Sequence, residues 1–231
     1  MHLKIDLHVH TVYSDGKGSV RDVLKVAERK GLDGLAITDH DTVDGYLVAK
    51  SYKTSMLILP GYEITTDAGH ILVLGLEETP PRAGLTLYPY ERLIEWTKRR
   101  GGLAILAHPA AGKIRLKRWL QCKPNAVEVL NASYPLFHPF VNRGLKVASR
   151  LKVAYVGGSD AHDPRTVGDA YTIVKVNGDP DEKSVIEAVR EGKVKYGGGL
   201  APFWIRFRMG LGYLLSDLIY HARLPHRLNS L

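Results

Sequence analysis

His8-Val9-His10 stands at the end of an alternating segment, and the two-residue period of a strand puts both imidazoles on one face, roughly 6.5 Å apart along the chain. Two such rings can share or bridge a metal ion. Asp15, in Thr11-Val12-Tyr13-Ser14-Asp15-Gly16, offers a hard oxygen donor close by, although taken alone it reads as a turn aspartate before glycine. Thr38-Asp39-His40-Asp41 follows the apolar Leu35-Ala36-Ile37, and a cluster of titratable groups there has no packing explanation. Glu63 follows Pro60-Gly61-Tyr62, and a carboxylate can join two cations through its two oxygens. His70 opens the next strand pattern, where an ordinary strand-edge histidine is the competing reading. His108 lies in Leu106-Ala107-His108-Pro109, and Asp160-Ala161-His162 mirrors the first pair after Val156-Gly157-Gly158-Ser159. Six of the ten histidines, with Asp15, Glu63 and Asp160, thus fall at or beside strand ends, where barrel active sites are built.

The elements that must position these residues alternate between strand-like and helix-like patterns from beginning to end, the pattern of βα units. Strands are expected at 3–9, 34–38, 56–59, 70–76, 103–107, 126–130, 152–156 and 171–176. In the first, Leu3, Ile5, Leu7 and Val9 should share one face, with Lys4, Asp6, His8 and His10 on the other. Ser19 should cap a helix carrying Val20, Val23, Leu24 and Ala27 that Gly31 ends. Later helices are expected over 90–100, 113–121, 139–150 and 181–191. About seven βα repeats favour an irregular α/β barrel over an open doubly wound sheet, for which the chain lacks a glycine-rich dinucleotide fingerprint.

The chain has 231 residues and is 45% hydrophobic, enough for one domain with a sizeable core. No run approaches the ~20 apolar residues of a spanning helix, so no stable membrane insertion is expected, and the start has no signal-peptide layout, which points to a cytoplasmic protein. The single cysteine, Cys122, rules out an intramolecular disulfide and reads as a buried, inert thiol. A formal net charge of +8 favours anionic partners such as phosphates or nucleic acid.

Asp6-Leu7-His8-Val9-His10-Thr11 with Ser14-Asp15-Gly16, then Ala36-Ile37-Thr38-Asp39-His40, Gly61-Tyr62-Glu63, Ala107-His108-Pro109 and Gly158-Ser159-Asp160-Ala161-His162 resemble, in order and spacing, the polymerase-and-histidinol-phosphatase (PHP) family of metal-dependent phosphoesterases. The resemblance covers residues 1–199 and implies a distorted seven-stranded (βα)7 barrel holding two or three divalent ions of manganese, zinc or iron. It implies a first site of His8, His10, Glu63 and Asp160, a second sharing Glu63 and adding His70 and His108, and a third of Asp15, His40 and His162. Asp15, His40, Glu63 and Asp160 would then carry catalysis, by attack of a metal-bound hydroxide on a small phosphomonoester or on a nucleotide or oligonucleotide phosphate. Arg143 and Arg165 are candidate substrate-binding cations. Two rivals are a metal-dependent amidohydrolase, which also begins with a His-x-His strand, and a non-catalytic RNA-binding relative that keeps the barrel.

Residues 200–231 form an extension outside the resemblance. From Leu211 through Ile219 apolar positions recur at three- and four-residue intervals, predicting an amphipathic helix that packs on the barrel, forms a homo-oligomer contact or lies at a membrane interface. Since it supplies none of the candidate ligands, it is expected to be dispensable for metal binding.

Overall fold

A computed structural model of the chain describes residues 1–81 and 87–208. In chain order the elements are β1 (His2–Val9), α1 (Val20–Arg29), β2 (Gly34–Ile37), α2 (Asp44–Ala49), β3 (Leu57–Thr66), β4 (Gly69–Leu74), α3 (Tyr90–Arg99), β5 (Leu103–Leu106), α4 (Leu116–Gln121), β6 (Ala126–Asn131), α5 (Phe137–Leu151), β7 (Ala154–Gly158), β8 (Ala170–Lys175), α6 (Glu182–Arg190) and β9 (Val194–Gly198). A last helical segment runs over 203–208. The predicted amphipathic helix from Leu211 onward lies outside the described residues.

One nine-stranded sheet has the order β7-β6-β5-β4-β3-β2-β1-β8-β9. It curls until its β7 end meets β1: the Asp160 amide donates to the His8 carbonyl at 2.8 Å and the His10 amide to the Ala161 carbonyl at 3.0 Å. The result is the nearly closed barrel that the alternation implied. Its interior is filled from the strands by Leu3, Ile5, Leu7, Leu59, Leu72, Leu74 and Ile105, and from α6 by Val185, Ile186 and Val189. Outside, α1 and α2 cover one flank and α3, α4 and α5 another.

The structure adds three features to the repeat pattern. β3 does not stop at Leu59 but continues through Pro60 to Thr66. Pro60 is tolerated because it falls where β3 leaves β2 and takes up β4, a handover at which a missing amide costs little. β3 then turns back into β4 through a tight hairpin, so β4 runs antiparallel to both its neighbours instead of closing a βα unit. Finally, β8 pairs antiparallel with β1 and β9 with β8, giving two strands beyond the seven. The α1 expectation is met in detail, with a reciprocal Ser19–Asp22 capping box and Gly31 at φ +67° just past the end.

Candidate metal centre

The first strand does not keep one alternation throughout. Its register against β2 shifts between Asp6 and Val9, a bulge that separates Leu3, Ile5 and Leu7, in the barrel interior, from Val9, which packs with α1 and α2. The two-face assignment for β1 is therefore corrected: the extra residue changes which face points inward and turns His8 and His10 toward the barrel mouth. Buried Asp6 holds this bend, accepting the amides of His8 (3.3 Å), Ser159 (2.9 Å) and Gly168 (2.8 Å) and so tying β1 to the chain after β7. Burial raises its pKa to about 6, against those hydrogen bonds.

At the mouth, His8 Nε2 lies 3.1 Å from His10 Nε2, 3.2 Å from Glu63 Oε2 and 3.3 Å from Asp160 Oδ1. His10 Nε2 lies 3.3 and 3.4 Å from the same two carboxylate oxygens. Adjacent donors around one cation with bonds of about 2.1 Å stand at about this spacing, so the four side chains fit a first divalent ion. The other oxygen of Glu63 faces a second set, 2.9 Å from His70 Nδ1 and 3.1 Å from His108 Nε2. His70 belongs there because the β3–β4 hairpin sets it opposite Thr65, at the same end of β3 as Glu63. A third group gathers around Asp15, whose Oδ2 is 3.1 Å from His162 Nε2 and 3.8 Å from His40 Nε2, with His10 alongside. All nine predicted ligands thus meet in one place. Imidazole and carboxylate donors of this kind suit zinc, manganese or iron without choosing among them.

Two of the nine sit in left-handed backbone conformation, His108 at φ +28° and Asp160 at φ +52°, as does neighbouring Asp41 at φ +64°. Non-glycine residues are held there only where surrounding contacts overdetermine them, and functional sites are where that happens.

The electrostatics follow from packing so many donors together. Burial would raise the Glu63 and Asp160 carboxyls, yet the His8 charge and hydrogen bonds from neighbouring imidazoles hold both well below the usual range. Burial would likewise lower His10, but its hydrogen bonds to Asp160 and Glu63 carry it to about 9. His8 is driven upward by Asp160, Glu128 and Glu63 against the same burial. Asp15 falls to about 2, since His162, His10 and His40 outweigh its desolvation. Without metal, protons on His8, His10 and His108, all raised, offset the buried carboxylates; a cation must displace those protons to bind.

Sequence reasoning missed the residues that hold the ligands. Glu128 on β6, fully buried, receives His8 Nδ1 at 3.0 Å, the His108 amide at 2.9 Å and Asn131 Nδ2 at 3.0 Å. It fixes the ring so that His8 Nε2 faces the other donors, as a carboxylate behind a metal-ligating histidine does. Its signal was present: a lone charge inside Ala126-Val127-Glu128-Val129-Leu130 has no reason to be there for packing alone. Asn131 also donates to Asp160 Oδ2 at 3.2 Å. Asp39, from the segment that carries His40, is no member of the donor clusters; it accepts the Thr11 amide at 2.7 Å and the Ser14 hydroxyl at 2.7 Å, setting the loop that presents Asp15.

Six of the nine donors, His40, Glu63, His70, His108, Asp160 and His162, line a pocket of ≈ 310 Å³ together with Asn131, Ser133, Tyr134 and Pro135. Arg143 is not in that lining. Its guanidinium donates to the carbonyls of Ala110 and Gly112 at 2.9 and 3.0 Å and so braces the loop behind His108. Arg165 lines a smaller pocket beside His162 and pairs bidentately with Asp163.

Residues 6–121 match the family profile described as PHP domain, and residues 141–194 the one described as PHP-associated. An uncharacterized protein of Methanocaldococcus jannaschii is 37% identical over 145 residues, which cover 56% of this chain and 82% of that protein. The phosphoribosyl 1,2-cyclic phosphate 1,2-diphosphodiesterase of Eggerthella lenta is 33% identical over 110 residues, 39% of this chain and 42% of that enzyme. Among solved structures, a two-domain Bacteroides vulgatus protein described as containing a predicted PHP-like metal-dependent phosphoesterase superposes with a TM-score of 0.72 at 20% identity, over 86% of this chain and 65% of that one. A barrel whose mouth gathers the histidines and carboxylates of the five motifs and a profile match over half its length lead to one statement: the chain belongs to the PHP domain family.

Proposed function

We infer that the chain is a metal-dependent phosphoesterase. The observation that carries this reading is Glu63, 1% exposed, whose one oxygen faces His8 and His10 while the other faces His70 and His108. A carboxylate shared between two imidazole pairs is the arrangement that joins two neighbouring cations. The first ion would be held by His8, His10, Glu63 and Asp160, the second by Glu63, His70 and His108, and a third by Asp15, His40 and His162. Divalent ions at such a site acidify water and neutralise charge on phosphoryl oxygens.

The protein's own part is orientation and charge. Glu128 and Asn131 fix His8 and Asp160, Asp39 fixes the Asp15 loop, and Asp6 fixes the bulge that points both first-strand rings inward. The three ligand carboxylates and Glu128 match the charge of two divalent ions, and a third ion leaves the cluster net positive, as a phosphate needs. The diphosphodiesterase relative supports phosphoester chemistry, although this chain spans under half of it. A small phosphomonoester or an oligonucleotide phosphate is the substrate class proposed. Phosphate release from a panel of phosphorylated metabolites and short oligonucleotides, with and without added manganese or zinc, tests it; metal-dependent turnover of at least one is expected, and hydrolysis of amide or ester substrates alone would overturn it.

A further inference from the structure

Beside the metal pocket, and sharing His162 with it, lies a second pocket of ≈ 160 Å³ lined by Lys17, Asp163, Arg165, Ile205 and Arg208. Asp163 pairs with Arg165 and also faces the charge of Lys17, but Lys17 and Arg208 form no close ion pair among the described residues, so three cations against one carboxylate leave the pocket with about two excess positive charges. Its outer wall is the helical segment 203–208, which lies beyond the two family-profile matches. That segment is fixed to the rim of the metal centre: Arg206 donates to the carbonyls of Tyr134 and Pro135, each at 2.8 Å, and to Ala201 at 2.7 Å, and Tyr134 and Pro135 line the metal pocket. One helical turn before Arg208, on the same side, Trp204 is 73% exposed. It does not line the pocket itself, but an indole in water one helical turn from the pocket's Arg208 is a surface for stacking a base.

We propose that Lys17, Arg208 and Trp204 form a strand-binding subsite that takes a non-reacting phosphate and the adjoining base of a single-stranded nucleic acid whose reacting phosphate lies at the metal centre. This rests on the phosphoesterase reading for the identity of the neighbouring site. The two cations hold the backbone, and the indole stacks without regard to sequence. The other two tryptophans, Trp96 and Trp119, are buried, so the fluorescence that responds to a ligand in solvent is that of Trp204.

The test is a fluorescence titration of the metal-loaded full chain with phosphorothioate-linked oligothymidine at several salt concentrations. Quenching is expected in the wild type and absent in Trp204→Phe, whose binding is then followed by a labelled strand. Lys17→Ala with Arg208→Ala should weaken binding at least about tenfold and lower the salt slope by about 1.4, the loss of two phosphate contacts on a single strand. Unchanged affinity and slope in the double variant, or no quenching in the wild type, would overturn the proposal. So would competition by pyrophosphate as effective as the strand itself, which would assign the pocket to small polyphosphates. Phosphoester turnover without strand binding would sink the subsite alone; strand binding without turnover of any phosphoester would sink the activity and leave the subsite standing.

Discussion

Stripping the metals should reverse the way stability responds to alkaline pH. In the metal-free protein His10 is fully buried with a pKa of about 9, raised by Asp160 and Glu63 over the opposing effect of burial, against 6.5 for the ordinary imidazole. A group whose folded pKa is raised contributes stability that is complete below the unfolded pKa and disappears as pH rises through the folded one. Between pH 6.5 and 9 the shift of about 2.5 units corresponds to about 3 kcal/mol. For a chain of this size that is a fall of about 6–12 °C in Tm. His8, also raised, acts in the same direction. With ions bound the same nitrogens are already deprotonated, and metal affinity increases as protons become scarcer, so the loaded protein should hold or gain stability over that window. Urea denaturation of chelated and metal-loaded samples at pH 6.5, 7.5 and 9.5 measures both slopes. Parallel slopes, or a chelated protein as stable at pH 9.5 as at 6.5, would refute the placement of protons on the first-strand histidines.

Three substitutions probe the site from different sides. Glu63→Gln should lower metal content and turnover together while circular dichroism of the metal-loaded sample stays native; an unchanged metal-to-protein ratio would count against the shared carboxylate. Glu128→Gln keeps the shape but cannot accept from His8, His108 and Asn131 at once, so metal affinity by competition with a chelator should weaken about 10–100-fold, and equal affinity would deny it a positioning role. Gly158→Ala would place a Cβ 2.6 Å from the His8 Cβ and 2.7 Å from Glu128 Oε1, so a loss of about 1–3 kcal/mol in urea unfolding, together with weaker metal binding, is expected; wild-type values in both would contradict the tight approach of β7 to β1.

The donor cluster was legible because its members sit at strand ends, where a period-two or short apolar run announces the element and the polar residue after it is conspicuous. His8, His10, His40, His108 and Asp160 all carry that signal. The barrel was legible for the same reason, as alternation of element types survives errors of several residues at each boundary. What escaped was geometry that depends on partners far along the chain. The bulge in β1 is set by Asp6 bonding to Ser159 and Gly168, more than 150 residues away, and local alternation continues across it undisturbed. The antiparallel β4 was hidden because Pro60 interrupts β3 in the sequence but not in the sheet. β9, with Lys195, Gly197 and Gly198 among its five residues, lacks the apolar pattern of a strand and is held by its pairing with β8. Glu128 was overlooked because it offers nothing to a motif read from strand ends, being placed mid-strand behind a ligand instead of at the mouth.

If one cluster both holds divalent ions and hydrolyses phosphoesters through them, as proposed, metal content and turnover must rise and fall together. The most direct measurement takes one preparation and determines its metal-to-protein ratio by elemental analysis and its phosphate release on its best phosphoester substrate, as purified, after chelation and after reloading with manganese, zinc or iron. Two or three ions per chain are expected, with activity that disappears with them and recovery of both on reloading. Full phosphoesterase activity in protein shown to be free of metal, or a chain that binds no divalent ion at all, would contradict it.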